Sequence, residues 1–370
     1  MELYIHIPFC KQKCNYCDFL SWNGEAKQRE EYVQALLKEI TAVKEKKEVT
    51  SIFIGGGTPS ILEPQQMKRI MEGIHEKFKL REDAEITIEA NPGTITREKL
   101  EAYRTCGINR ISFGLQSIHE DELKLLGRIH TFKEFEESYH MARQAGFQNI
   151  NIDLIMAVPN QTMDRWKETL QTITALKPEH ISAYSLIIEE GTPFYEMDYE
   201  FSEDLEREMY EETKNYLKKQ DYQQYEISNF ARPGYSCRHN LGYWDREEYL
   251  GLGLGAASLI DEQRWNNTRD ILAYLSYANE PEKIRINQEV LMEREQMEEF
   301  MFLGLRKTAG VSVKKFQEKF GDDIKTVYGR QLEKLTRDGL LEYDEHRVWL
   351  TERGISVSNY AMAEFLFDDE

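Results

Sequence analysis

Residues 4–19 read YIHIPFCKQKCNYCDF, a run of alternating aromatic and β-branched residues that leads directly into three cysteines. Cys10, Cys14 and Cys17 have the spacing C-x3-C-x2-C, which predicts a tight loop with all three sulfurs turned inward. Thiolates are soft ligands that favour iron–sulfur clusters, zinc or copper(I). The stretch therefore predicts a metal centre directly after a first strand.

The absence of a fourth ligand in the loop distinguishes between these metals. Structural zinc needs four ligands, and no further Cys or His follows within the loop. A cubane cluster has four irons, so three thiolates leave one iron free to bind another molecule. The pattern favours the cluster, and the alternative is a zinc site completed by the distant Cys106 or His6.

Composition and charge exclude several classes of protein. The 370 residues carry a formal charge of −19, so the molecule as a whole repels phosphate backbones and anionic lipid. No run of about 18 apolar residues occurs, and the first residues include no basic leader. Five cysteines are too few for a secreted disulfide scaffold. We therefore expect a cytoplasmic protein with no membrane span and no nucleic-acid partner.

Short apolar runs alternate with amphipathic stretches over the first ~215 residues, which is typical of repeated βα units in an α/β fold. Apolar residues recur at helical spacing between Val33 and Val43 and again between Met67 and Phe78. Six strands, each followed by a helix, predict a partial (β/α)6 TIM-like parallel barrel. An open doubly wound sheet fits the same periodicity. The predicted strands are residues 3–7, 51–55, 85–89, 110–114, 149–155 and 180–187.

The chain is predicted to divide into three parts, residues 1–220, 221–287 and 288–370. The first is the partial barrel, and the second is an aromatic and glycine-rich connecting region. The third contains helices followed by LLEYDEHRVWLTERG, a predicted hairpin, and resembles a winged-helix domain. Winged helices often bind DNA, but residues 301–370 contain 11 Lys and Arg against 13 Asp and Glu. DNA binding is not expected, because no basic face follows a phosphate backbone.

The cysteine stretch resembles the signature of the radical S-adenosylmethionine superfamily. Within it, YIHIPFC followed by CNYCDF resembles the group that contains oxygen-independent coproporphyrinogen III oxidase and its haem-chaperone relatives. The resemblance implies that Cys10, Cys14 and Cys17 hold a [4Fe–4S] cluster. It also implies that the amino and carboxylate groups of S-adenosylmethionine occupy the fourth iron. One electron from the cluster then cleaves S-adenosylmethionine to methionine and a 5′-deoxyadenosyl radical, so an electron donor is an expected partner.

Polar or glycine-rich residues follow the later strands, at the carboxyl face where parallel barrels place their sites. GGGTP follows the second strand, and its glycines permit close backbone approach to a ligand. Taken singly, each of these residues reads equally well as a turn, a strand-end cap or a surface charge. The resemblance implies that Tyr16 lies against the adenine of S-adenosylmethionine. It implies further contacts to this cofactor from Tyr4, Gly56, Gly57, Thr58, Glu89, Gln116, Arg128 and Asp153.

Two functions are open, an oxidase of coproporphyrinogen III and a haem chaperone that delivers haem to acceptor haemoproteins. The oxidases carry a further cysteine at the position of Phe19, and they carry an extended segment ahead of the first strand, whereas this chain reaches Tyr4 at once. Residues 239–244, HNLGYW, match the H-N-x-x-Y-W motif of the haem-chaperone branch. These features predict the chaperone, with the oxidase as the alternative. A homodimer is left open.

The HNLGYW motif has a chemistry that suits haem. Imidazole is a common axial ligand of haem iron, so His239 is a candidate ligand, and Cys237 is a candidate second one. Tyr243 and Trp244 offer flat faces and hydrogen-bond donors around a porphyrin. The alternative interpretation is a packed loop histidine beside aromatic residues. GLGLGAAS, a few residues later, is predicted to be a structural turn rather than a nucleotide loop.

Overall fold

The computed structural model describes residues 1–197 and 202–367. Residues 198–201 and 368–370, which fall within the predicted first and third parts, lie outside the described residues. Six parallel strands form the centre of the fold, as the sequence predicted. They are β1 (Glu2–Ile7), β2 (Val49–Gly56), β3 (Leu80–Ala90), β4 (Arg110–Gln116), β5 (Ile150–Met156) and β6 (His180–Ser185).

Helices follow every one of these strands and cover one side of the sheet. Their apolar stripes face the strands, and Val33, Leu36, Met67 and Ile70 are all buried. Pro64 begins the second helix, a position where the missing N–H of proline costs nothing. The helices are α1 (Ala26–Ala42), α2 (Pro64–Lys77), α3 (Arg97–Thr105), α4 (Glu120–Leu125), α5 (Phe132–Gln144), α6 (Met163–Ala175) and α7 (Glu203–Lys219).

The two sides of the parallel strands differ in polarity, since successive side chains of a strand point to opposite faces. Leu3, Ile5 and Ile52 lie on the helix side and are completely buried. The inner side is buried too, but it carries polar side chains: Ser51, Glu85, Arg110, Asn151 and His180 are each less than a tenth exposed. Four of these five side chains have hydrogen-bond partners, so the barrel interior is largely a hydrogen-bonded network rather than an apolar core, although Nε of Arg110 has no hydrogen-bond partner among the described residues.

The sheet continues beyond the six strands at both edges, in the order β12-β11-β10-β9-β1-β2-β3-β4-β5-β6-β8-β7. β1 pairs with β9 and β6 pairs with β8, so the two outermost barrel strands do not close on each other and the barrel stays open. The added elements are β7 (Gln223–Glu226), β8 (Asn229–Ala231), α8 (Arg238–Trp244), β9 (Tyr249–Leu252), β10 (Ala257–Ile260), β11 (Gln263–Asn267), α9 (Ile271–Tyr277), α10 (Pro281–Ile284) and β12 (Arg285–Val290).

Residues 221–287 differ from the expected connecting loops. They contain five complete strands that join the sheet, and β12 crosses the boundary predicted at residue 287. The structural turn predicted in GLGLGAAS is present at residues 253–256, between β9 and β10. Gly253 has φ of 101°, and a Cβ there would lie 2.5 Å from the phenol oxygen of Tyr32, so only glycine fits. Buried Glu39 on α1 accepts the N–H of Gly253 at 2.8 Å and holds the turn in place.

The C-terminal part has a second hydrophobic core, centred on Phe316, Tyr328 and Leu335. The hairpin predicted in LLEYDEHRVWLTERG is present as β14 and β15. Contacts between α8 and α11 join this part to the barrel. No described helix is long and apolar enough to cross a membrane. The elements are α11 (Glu293–Gly304), β13 (Val311–Ser312), α12 (Val313–Phe320), α13 (Ile324–Arg337), β14 (Leu341–Tyr343), β15 (Arg347–Leu350), α14 (Glu352–Ser356) and α15 (Ser358–Ala363).

Candidate functional site

The cysteine loop lies at the carboxyl end of β1, where the site was expected. All three cysteines are free thiols; Cys10 is buried and Cys14 and Cys17 are half-buried. The backbone of Asn15 donates to the carbonyl of Leu126 at 3.0 Å, and its side chain donates to the carbonyl of Leu125 at 2.8 Å. The cysteine loop is therefore hydrogen-bonded to the carboxyl end of α4.

Polar donors point at two of the sulfurs. The hydroxyl of Thr58 donates to Sγ of Cys10 at 3.4 Å, and the guanidinium of Arg128 donates to Sγ of Cys14 at 3.4 Å. Burial, together with the neighbouring Cys14 and Cys10, raises the pKa of the Cys17 thiol to about 11. A bound cation would reverse this shift, because metal ligation requires the thiolate. Three thiols with directed donors fit a cluster, whose properties are tuned by hydrogen bonds to sulfur.

The zinc alternative finds no fourth ligand. Both ring nitrogens of His6 are occupied, since Nε2 lies 2.9 Å from the carbonyl of Leu20 and Nδ1 lies 3.1 Å from the phenol oxygen of Tyr4. Cys106 caps the end of α3, and its carbonyl meets the ring of His75. Within residues 1–197 and 202–367, no three Cys, His, Asp or Glu side chains are grouped to hold a single metal ion.

The GGGTP loop packs directly against the cysteine loop. The N–H of Gly57 donates to the carbonyl of Ile7 at 2.9 Å, and the N–H of Thr58 donates to the carbonyl of Phe9 at 2.7 Å. A Cβ at Gly57 would lie 2.7 Å from the carbonyl oxygen of Phe9, so this close approach requires glycine. The glycines thus fix the height of the cysteine loop above the sheet. The amides of Gly57 and Thr58 are used for this contact.

Two half-buried carboxyl groups, Glu89 and Asp153, face each other across the barrel interior. Burial, reinforced by the charge of Asp153, raises the pKa of Glu89 to about 8. Glu89 accepts the N–H of Gly56 at 3.1 Å. Burial also raises the pKa of Asp153, which accepts hydrogen bonds from Ser112 at 3.0 Å and Asn151 at 2.7 Å. A cationic ligand between the two carboxyl groups would favour their ionised forms and lower both pKa values.

Arg128 joins the cysteine loop to the strand ends. Besides Cys14, it donates to the side chain of Asn91 at 2.6 Å and to the carbonyl of Gly114. Asn91 in turn donates to the hydroxyl of Thr58 at 2.8 Å. Asn91 was not among the predicted site residues, although its position two residues after Glu89 at a strand end was the signal that could have identified it.

The remaining predicted cofactor residues lie at the same end of the barrel. Gln116 ends β4 with a left-handed φ of 76°, which turns the chain sharply at that point. Tyr16 packs against the small cluster formed by Leu126, Ile155 and Phe194. Tyr4 lies at the edge of the site, between the rings of His6 and Phe53. The structure therefore brings the predicted cysteines and the predicted cofactor residues together around one mouth.

A cavity of about 820 Å³ lies beside the cysteine loop. It is bounded by the barrel, by strands β10–β12 and by α11 of the C-terminal part. Its aromatic and apolar lining includes Tyr4, Phe19, Tyr243, Trp244 and Phe302. Three arginines also line the cavity. Two of them, Arg246 and Arg264, are paired with Glu299, and the third, Arg269, is exposed.

His239 does not line this cavity. It lies at the amino end of the parallel strands, opposite the cysteine loop, and is 1% exposed. Its Nδ1 lies 2.8 Å from the hydroxyl of Ser51, and its ring stacks on Phe53 with centroids 5.2 Å apart. Its Nε2 is buried and has no partner among the described residues. Burial and the charge of Arg110 lower the pKa of His239 to about 3, so the ring is neutral.

Comparison with known proteins agrees with this arrangement. The Radical SAM superfamily matches residues 4–173, and the HemN C-terminal domain matches residues 291–357. A protein of Lactococcus lactis named heme chaperone HemW is 40% identical over 99% of this chain and 97% of its own length. The HemW protein of Bacillus subtilis is 39% identical over 98% of each chain. The chain belongs to the HemW family of the radical SAM superfamily.

Membership of the HemW family fits both the cluster and the fold. The radical SAM domain carries a [4Fe–4S] cluster and S-adenosylmethionine, and the three-cysteine loop with its directed donors suits that cluster. The solved structure of coproporphyrinogen III oxidase (HemN) from Escherichia coli matches with a TM-score of 0.85. It covers 99% of this chain and 89% of the other at 24% identity, a likeness that shows the fold alone.

Proposed function

We propose that this HemW-family chain is a haem chaperone, which binds haem and delivers it to acceptor haemoproteins. The observation that carries the proposal is the alignment of 371 residues, 40% identical, with a protein named heme chaperone HemW. Because it spans 99% of this chain, it includes the barrel, the HNLGYW motif and the C-terminal part together. Haem and its acceptors are therefore the proposed partners.

The proposed haem site is the 820 Å³ cavity. A volume of this order suits a rigid organic ligand, and aromatic walls match the flat faces of a porphyrin. Tyr243 and Trp244 from the motif both line it. The exposed cation of Arg269 suits one of the two carboxylates that haem carries. His239, buried beneath Tyr243 at 4.8 Å between centroids, supports the motif from below and reaches the iron only if the ring moves.

The proposed cofactor residues keep the roles implied by the family resemblance. Cys10, Cys14 and Cys17 would hold the cluster, which supplies one-electron chemistry when it is bound. Glu89, Gln116, Arg128 and Asp153 would orient S-adenosylmethionine, with Tyr4, Tyr16, Gly56, Gly57 and Thr58 beside them. The chain's own contribution is to bind and to orient the cofactor.

The remaining proposals concern organisation in the cell. We propose three parts with limits at residue 220 and at residue 290, where β12 ends, together with an electron donor for the cluster and a location in the cytoplasm. The formal charge of −19 supports solubility, and it disfavours association with anionic surfaces. A homodimer is a further proposal that sedimentation of the cluster-loaded protein would test.

The test is a pair of assays on anaerobically reconstituted protein. Haem should bind with a shifted Soret band, and coproporphyrinogen III should not be converted to protoporphyrinogen. Trp244→Ala should weaken haem binding by about tenfold, because an aromatic wall of the cavity is lost. Trp349→Ala is the matched control: both indoles are half-buried under an arginine, at 4.4 and 4.5 Å, but Trp349 is outside the cavity.

Two results would overturn the proposal. Steady production of protoporphyrinogen with consumption of S-adenosylmethionine would restore the oxidase, which has the same fold. Equal loss of haem affinity in the Trp244 and Trp349 variants would remove the cavity as the haem site.

A further inference from the structure

A chain of four hydrogen bonds crosses the barrel interior and ends on Asp153. The backbone N–H of Cys237 lies 3.3 Å from the phenol oxygen of Tyr225. That oxygen lies 2.7 Å from Nε2 of His180, whose Nδ1 lies 2.6 Å from the amide oxygen of Asn151. The amide nitrogen of Asn151 lies 2.7 Å from the carboxylate of Asp153. The chain thus runs from the start of α8 to the proposed S-adenosylmethionine site.

The chemistry of the groups fixes the direction of every bond in the chain. Asp153 only accepts when ionised, so Asn151 turns its NH2 towards it and offers its oxygen to His180. Nδ1 of His180 therefore carries the proton, which leaves Nε2 as the acceptor for the hydroxyl of Tyr225. Burial lowers the pKa of His180 well below its ordinary value, which keeps the ring neutral with a single proton. All four donors point towards the carboxylate, and aligned bonds of this kind polarise and strengthen one another.

The other end of the chain holds the element that carries the motif. Cys237 is the residue before α8, and Glu85 accepts the N–H groups of Arg238 and His239 at 3.2 Å each. Tyr243 and Trp244, the last two residues of α8, line the cavity. A movement at the start of this seven-residue helix is therefore transmitted to the cavity wall within two turns.

We propose that His180 and Tyr225 are positioning residues that couple the S-adenosylmethionine site to the haem cavity through α8. This inference rests on the proposed function. A ligand that donates a hydrogen bond to Asp153 shares the carboxylate with Asn151, so it weakens the aligned chain and loosens the start of α8. S-adenosylmethionine therefore lowers the affinity for haem, and haem lowers the affinity for S-adenosylmethionine by the same factor, because coupling between two binding equilibria is reciprocal.

The experiment is a haem titration of the full-length, cluster-loaded protein with and without saturating S-adenosylmethionine. The cluster is kept oxidised, so that the cofactor is not cleaved. The Kd from the Soret band should rise by a factor of roughly 2 to 10 when S-adenosylmethionine is added, the range expected for one hydrogen bond. Tyr225→Phe removes only the hydroxyl and should bring this factor close to one.

Two further variants make the comparison specific. Tyr222→Phe removes a buried phenol hydrogen bond outside the chain, to the carbonyl of Pro178 at 2.6 Å, and should keep the wild-type factor. His180→Asn keeps an N–H donor for Asn151 near the position of Nδ1, but it has no acceptor at the position of Nε2, where Tyr225 donates. The effect of S-adenosylmethionine on the Kd for haem should therefore disappear in this variant, even if Tyr225→Phe folds poorly.

The outcomes separate this inference from the proposed function. Haem affinity that does not change, or that rises, when S-adenosylmethionine is added to wild type would overturn the coupling and leave the chaperone proposal intact. An equal factor in wild type and Tyr225→Phe would do the same. Wild-type protein that binds no haem would instead overturn the proposed function. The reverse titration, of S-adenosylmethionine with and without haem, must return the same factor in wild type.

Discussion

The three cysteines of residues 10–17 are expected to act as a unit. Replacing any one of them with Ala removes a thiolate, and we expect each variant to lose the cluster. Iron and sulfide analysis after anaerobic reconstitution should give about four of each per chain in wild type and near none in the variants. Cys106→Ala is the control, because Cys106 lies at the end of α3, away from the loop. Stable zinc without iron in wild type would contradict the assignment.

Glu2 gives a prediction for the dependence of stability on pH. Its Oε1 accepts from Ser51 at 3.2 Å, and its Oε2 has no hydrogen-bond partner among the described residues. Burial raises its pKa from 4.5 to about 9, so the folded state keeps a proton that the unfolded state loses. Stability is therefore lost as the pH rises through this window. Denaturant titrations near pH 6 and near pH 9 should show a smaller loss for Glu2→Gln than for wild type, and parallel losses would refute the assignment.

The locations of candidate site residues could be predicted where the signal lies within one short segment of sequence. The cysteine spacing and the strand-end carboxylates were both visible in short segments. The environment of His239 was not, because Ser51 and Phe53, which surround it, are almost 190 residues earlier in the chain. A histidine beside aromatic residues has the same local sequence whether it faces a cavity or a core. Only the packing of α8 under the barrel distinguishes the two.

At the scale of secondary structure, the six barrel strands were predictable because each is a run of β-branched and apolar residues. The strands between Gln223 and Asn267 were not. They are only three to five residues long, and three of them, β7, β8 and β11, mix polar with aromatic residues. Their existence depends on pairing with β6 and β1, which are distant in the sequence. Short edge strands of this kind are set by tertiary contacts rather than by their own pattern.

Gly242 in the middle of α8 is predicted to be essential to the position of the motif. A Cβ there would lie 2.0 Å from the carboxyl group of Glu2, which is itself buried against Ser51 and His239. We expect Gly242→Ala to destabilise the fold by about 1–3 kcal/mol, the usual cost of overpacking. Since the helix must move, haem affinity should fall as well. Gly329→Ala is the control, because a Cβ on that helix meets nothing within 4 Å. A Gly242→Ala variant as stable as this control would contradict the prediction.

At the scale of the whole molecule, the cavity could not be predicted from any single segment. Its walls come from the cysteine loop, the end of α8, strands β10–β12 and α11. The sequence identified the motif on one wall, but the opposite wall contains Phe302 and Leu303 of α11. The cavity exists only because the C-terminal part docks against the barrel. Its stability therefore depends on that docking.

Glu299 of α11 is predicted to be central to this docking. It is buried, and it pairs with the nearly inaccessible Arg246 at 2.7 Å and with Arg264 on β11. Arg246 keeps a second partner in Glu262 at 2.6 Å, so Glu299→Gln weakens its compensation without removing it and should lower the free energy of unfolding by about 1–3 kcal/mol. Glu318→Gln breaks an exposed pair on α12, with Lys314 at 3.5 Å, and should cost less than about 0.5 kcal/mol.

The haem affinity of Glu299→Gln reports on the same interface. Loss of a negative charge from the cavity wall would by itself favour an anionic ligand. A fall in affinity would therefore mean that α11 has moved away and that the wall formed by Phe302 is lost. We expect that fall, measured by Soret titration beside denaturant unfolding of both variants. If Glu299→Gln unfolds at the same denaturant concentration as Glu318→Gln and binds haem more tightly than wild type, the buried pair does not hold the C-terminal part in place.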